Sequence, residues 1–140
     1  MWHLKYLGIK HDYYMVNCFT LIKDVYKNEL NFTDFEYICS NVGVPNGTPI
    51  DKRRWIFRTT LTQIESHAVK FFKKVNLTEI QEFDLILFKL NDIRPFHFGV
   101  YVSQNKFLHV EEGNWSCLSD LDINYRDSVA SIWRLSNKSI

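Results

Sequence analysis

"FDLILFKLNDIRPFHFGVYVSQNKFLHV", residues 83–110, decides how this chain folds. Its segments 83–90, 95–102 and 106–110 are rich in aromatic and β-branched residues and carry apolar positions at period 2, so each reads as a strand. In the second segment, alternation puts His97, Gly99 and Tyr101 on one face and Phe98, Val100 and Val102 on the other, which is a core face. In the third, Phe107 and His109 share one side while Leu108 and Val110 share the opposite one. The connection Ser103–Gln104–Asn105 is expected to close as a three-residue hairpin loop, with Asn105 supplying the left-handed residue. Val102 then pairs with Lys106, and His109 falls opposite Gly99 and diagonal to His97. Diagonal neighbours on one face of an antiparallel pair lie about 7–8 Å apart at Cα, within reach of two imidazoles. A two-residue loop would put the two histidines on opposite faces. The expected outcome is a His97–His109 pair, with Gly99 between them keeping the sheet surface low enough for something to pack or bind.

Upstream, the period is 3.6. In "VNCFTLIKDVYKNEL", residues 16–30, Cys18, Leu21, Ile22, Val25 and Tyr26 recur at helical spacing, with Asn17 as a capping residue. That is a core-facing helix with a thiol in its first turn. A shorter helix is expected from 33 or 34 to 41, with Gly43 past its end, followed by the turn segment "NVGVPNGTP" at 41–49. Thr48, Pro49 and Asp51 resemble a helix start, and Phe57, Leu61, Ile64, Ala68 and Phe71 extend an amphipathic helix over 49–74. Downstream, 114–118 and 131–135 are weaker strand candidates. Helices first and strands afterwards predict a single α+β domain, 1–140, with an antiparallel sheet.

A chain of 140 residues can bury about two thirds of its unfolded surface, so apolar side chains alone suffice for a core. The apolar share of 46% and aromatic share of 16% place it among folded globules and away from disordered chains. A formal charge of +1 gives no global pull toward nucleic acid or acidic membranes. The basic cluster "KRRWIFR" at 52–58 therefore reads as a helix face touching an acidic protein neighbour. The N-terminus lacks the apolar run of about 7–15 residues that a signal peptide needs, and no run of about 18 apolar residues occurs. No membrane insertion is expected, and if the protein acts outside the cell that made it, something else carries it.

Taken singly, Cys18 is a small core residue and each histidine is structural. Taken together they are a thiol, a base and an orienting group. A thiol with an ordinary pKa near 8.5 is mostly protonated at neutral pH; a helix N-terminus and an imidazolium stabilise its thiolate. His97 would take the proton and return it to a leaving amine, and His109 would fix the His97 ring and its tautomer. Cys39 and Cys117 have no motif around them, and His3, His11 and His67 lack partners at zinc-ligand spacing, so no metal or cofactor is expected. Glu111, Glu112 and Trp115 follow the His109 strand, where a solvated loop is the simpler reading and the rim of the same cleft is the alternative.

These residues also resemble a family. "NCFTLIKDVY" is similar to the "DC-x-G-L-V-x-x-V-Y" signature of the NlpC/P60 bacterial cell-wall cysteine peptidases, and residues 83–110 resemble its "GDLVLF…HVGIYLGDGKFLHA" block. The likeness covers about residues 6–30 and 78–135, in the family's order, with the two histidines 12 positions apart (109 − 97). It implies a papain-like α+β fold, N-terminal helices on an antiparallel sheet of five or six strands, with residues 31–77 as a helical insertion. It implies Cys18 as nucleophile, His97 as base, His109 as third member, and hydrolysis of peptide stem bonds in peptidoglycan. Where the family has glycines ahead of the nucleophile this chain has Tyr13 and Tyr14, and Phe83 replaces the glycine before Asp84. With Gly99 and Trp115, these tyrosines are the expected substrate-contacting residues in a narrowed cleft. "YLG" at 6–8, about a dozen residues before Cys18, looks like the bacteriophage-tail branch. That implies a virion location, other tail proteins as partners, and as the alternative a structural tail or tail-tip role with little hydrolysis.

Overall fold

A computed structural model describes residues 1–11, 18–38, 61–89, 97–111 and 113–136. The features expected at Tyr13, Tyr14, Asn17, Cys39, 41–58 and Glu112 lie outside the described residues. After a 3-10 turn at Trp2–Tyr6, the described chain forms α1 (Cys18–Leu30), a second 3-10 turn (Phe35–Ile38) and α2 (Leu61–Ala68). There follow β1 (Phe72–Val75), a 3-10 turn (Leu77–Glu79), β2 (Leu85–Phe88), β3 (His97–Ser103), β4 (Lys106–His109), β5 (Cys117–Asp120), α3 (Ile123–Arg126) and β6 (Val129–Leu135). The strands make one six-stranded sheet in the order β1-β6-β2-β3-β4-β5, and every neighbouring pair is antiparallel. The expected α+β architecture is the one observed.

β2 reads "LILF" because it lies inside the sheet and is covered on both faces. Leu85 and Leu87 join Phe98, Val100 and Leu108 in a core that the helices cap, while Ile86 and Phe88 join Phe107, Leu121 and Ile132 in a second core behind the sheet. α1 lays Leu21, Ile22, Val25 and Tyr26 into the first core. Burial pushes the Tyr26 hydroxyl well above the ordinary phenol pKa, so it keeps its proton and donates to the Phe83 carbonyl at 2.6 Å. Phe83 itself sits at φ 71°, in the left-handed region that explains a glycine at this point of the motif. Its ring stacks on Trp2, with centroids 4.5 Å apart, which offsets part of that strain.

Two expectations are corrected. The helix expected to run to residue 74 ends at Ala68, and Phe72–Val75 is strand β1 instead. The consecutive Phe71 and Phe72 are both buried, and Phe72 pairs with Leu135. Lys73 and Lys74 are exposed on this edge strand, where lysines discourage further pairing. The β3–β4 loop has two residues, Gln104 and Asn105, at φ 51° and 64°, as a type I′ turn requires. A two-residue loop alone would separate the histidines. An irregularity between Tyr101 and Ser103 restores the parity, so that Val100 pairs with Leu108 and Tyr101 with Phe107.

Candidate active site

His97 opens β3 and His109 closes β4, both buried on the side of the second core. The register brings their rings together: His97 Nε2 lies 2.9 Å from His109 Nδ1, with the planes at 78°. Phe88 packs against His97, and Phe107 against His109 at 4.5 Å between centroids. A Cβ on Gly99 would lie 2.8 Å from the Phe107 ring and 3.2 Å from the Phe88 ring. The space over Gly99 is therefore filled by aromatic rings, and the missing side chain serves to let Phe107 settle beside His109.

Behind His109 a polar chain continues. Its Nε2 is 2.7 Å from Ser119 Oγ on β5, and the Tyr125 hydroxyl on α3 donates to Glu111 Oε1 at 2.9 Å. The Tyr125 ring stands edge-on to His109, and Glu111 Oε1 is 3.9 Å from His109 Nδ1. Burial lowers the His109 pKa to about 4, the Glu111 carboxylate acting only weakly against it. His109 is thus a neutral imidazole at neutral pH, with one N–H to place.

Cys18 heads α1 and is half-buried at the border of the helix-side core. The next residue, Phe19, packs on Phe98 at 6.1 Å and on Phe35 at 5.3 Å. Phe98 adjoins His97, so the first turn of α1 lies at the end of β3 that His97 begins. Cys18 borders the helix-side core, and the imidazoles lie on the other face of the sheet beside Phe88 and Phe107. The N–H groups of the first helical turn favour a negative charge at Cys18.

Residues 8–11 run antiparallel beside 114–116, held by Gly8 N–H to the Ser116 carbonyl (2.9 Å), Ser116 N–H to the Ile9 carbonyl (2.8 Å) and His11 N–H to the Asn114 carbonyl (2.8 Å). Trp115, 56% exposed, faces Lys10 across this ribbon, beside the chain that leads toward Cys18. Ser119 and Tyr125 were not singled out from the sequence. Ser119 fell past the end of the strand expected at 114–118. Tyr125 sits in a one-turn helix whose signal was legible, since Asp122 caps it by accepting from Asn124 N–H at 3.0 Å. Among the described residues, no group of three His, Cys, Asp or Glu side chains could hold a metal, and no helix is long and apolar enough to cross a membrane.

No family model matches the chain. Over 53 residues, 38% of its length, the chain is 36% identical to a probable endopeptidase NlpC homolog of Haemophilus influenzae, a stretch that is 27% of that protein. Its fold matches the crystal structure of a protein similar to lipoprotein, of the NLP/P60 family, from Staphylococcus aureus, with a TM-score of 0.54 and 18% identity. That match takes in 96% of this chain and 39% of the other. The chain spans well under half the length of either protein. The local sequence likeness is to an NlpC homolog, and the fold likeness is to an NLP/P60 structure.

Proposed function

We propose that this chain is a cysteine endopeptidase domain that hydrolyses peptide stem bonds of peptidoglycan, with Cys18 as nucleophile, His97 as base and His109 as orienting residue. The observation that carries the proposal is the buried His97–His109 hydrogen bond, supported by an α1 that opens on a thiol and packs its Phe19 on Phe98, the residue after His97. His97 accepts the Cys18 proton; the thiolate attacks the scissile carbonyl carbon, and the Cys18 backbone N–H donates to the resulting oxyanion. Collapse of that intermediate breaks the C–N bond, and His97 returns the proton to the leaving amine. A water, deprotonated by His97, then cleaves the thioester and regenerates the thiol. Trp115 and the two tyrosines before Cys18 would border the entering peptide.

The likeness to an endopeptidase homolog and to an NLP/P60 structure supports the chemistry and the wall substrate. The setting we assign, a bacteriophage tail that delivers the domain to the host wall among other tail proteins, is supported by the Tyr6–Leu7–Gly8 stretch ahead of Cys18. Purified muropeptides incubated with reduced protein test the activity. Wild type is expected to release free amine and Cys18→Ala to release none. Intact muropeptides with the wild type would overturn the enzymatic proposal and favour a structural tail role for the same fold.

A further inference from the structure

The ribbon formed by residues 8–11 and 114–116 presents an indole and a cation side by side. Trp115 is 56% exposed, and Lys10 lies directly across from it. The hydrogen bonds that flank them, Ser116 N–H to the Ile9 carbonyl and His11 N–H to the Asn114 carbonyl, make Lys10 and Trp115 a non-hydrogen-bonded pair. Such pairs hold their side chains closest, on one face. Ser116 clamps the ribbon from the other face: buried, it donates its hydroxyl to the Tyr6 carbonyl at 2.5 Å and accepts from Ile9 N–H at 2.8 Å. Tyr6 belongs to the helix-side core, as do the contacts of Leu118, whereas Ser119 reaches His109 and Cys117 pairs with it. Alternation therefore puts Trp115, and Lys10 with it, on the imidazole face, about 7 Å along the strand from the residue that faces His109. Lys5, Lys23 and Lys106 are each tied to a carboxylate, while Lys10 has no ion-pair partner among the described residues. The Glu111 carboxylate on this face is taken by the Tyr125 hydroxyl at 2.9 Å.

An indole face takes an apolar group and an ammonium takes an anion, so the matching ligand carries a carboxylate beside an apolar stem. We propose that Lys10 and Trp115 form a specificity subsite for the peptide substrate, Trp115 packing on its apolar part and Lys10 pairing with a free carboxylate, so that carboxylate-bearing peptides are preferred over their carboxamides. The ligand's identity as a wall peptide rests on the peptidase proposal; the geometry of the subsite does not. Titration of full-length Cys18→Ala, which lacks the nucleophile, tests it, with the Trp115 indole N–H followed by proton–nitrogen NMR. The probes are purified muropeptides and the same muropeptides with their carboxylates converted to carboxamides. The carboxylate form is expected to bind about fivefold more tightly at low salt, a margin that shrinks in about 1 M salt. Adding Lys10→Gln should erase the preference, and Lys10→Glu should reverse it. Trp115→Ala should weaken both forms about tenfold and leave their ratio unchanged. Equal affinities for the two forms, or a preference that persists in Lys10→Gln, would overturn the subsite. So would a Trp115 resonance that neither form moves, or a Trp115→Ala that binds both as before. Binding with the expected preference, together with muropeptides left intact by the wild type, would instead end the peptidase proposal and leave the subsite standing.

Discussion

His109 gives up its proton to sit where it does. Burial places its folded pKa near 4, against 6.5 for the ordinary imidazole, so between those values the unfolded chain binds more protons than the folded one. The contribution is fully present above pH 6.5 and is lost as pH falls toward 4, amounting to on the order of 3 kcal/mol. Urea unfolding of wild type should therefore show a midpoint that drops between pH 7 and 4.5, and His109→Gln should lose that part of the drop. Equal slopes for the two proteins would contradict a buried neutral imidazole. His97 and His109 were legible in the sequence because alternation alone put each on a known face. Ser119 was not, because a serine beyond a weakly alternating segment carries no signal until its partner is placed.

In the β3–β4 hairpin, two departures cancel. The turn is one residue shorter than expected, and an irregularity between Tyr101 and Ser103 restores the register. The hydrophobic pattern fixes which side chains face the core, and loop length has to comply with it. Gly99 belongs to the same element: Gly99→Ala would drive a methyl to within 2.8 Å of the Phe107 ring. Overpacking of this kind costs about 1–3 kcal/mol and would push Phe107 against His109. The expected readout is a lower urea midpoint together with slower substrate turnover. Undiminished stability would mean that the ring moves away freely. β1 shows the opposite case, where propensity misled. Phe71, Phe72 and two lysines fit the end of an amphipathic helix, and only the pairing with β6, five strands later in the chain, makes them an edge strand.

On the scale of the molecule, the last strand inserts between β1 and β2, and one ion pair fastens it. Arg134 on β6 donates to both oxygens of the buried Asp84, through Nε at 3.0 Å and Nη2 at 2.9 Å, and Nη2 also reaches the Glu79 carbonyl at 2.7 Å. The Asp84 carboxylate raises the Arg134 pKa further. Arg134→Ala would leave Asp84 buried without its counter-charge and should cost about 2–3 kcal/mol at pH 7, measured by urea unfolding. A loss within error would show that water replaces the guanidinium. Such long-range closure is what a single sequence conceals, whereas the two halves of the site were each visible in local patterns. Their meeting, with α1 bringing Cys18 to the end of β3 that His97 opens, is the central claim. The rate of iodoacetamide alkylation at Cys18, followed by mass spectrometry from pH 5 to 10 in wild type and His97→Ala, tests it most directly. Cys117 is exposed and Cys18 half-buried, so an unactivated Cys18 should be the slower of the two. The expected result is a Cys18 that outpaces Cys117 below the ordinary thiol pKa and loses that advantage in His97→Ala. A Cys18 that reacts no faster than Cys117, with a pH profile that His97→Ala leaves unchanged, would contradict the account.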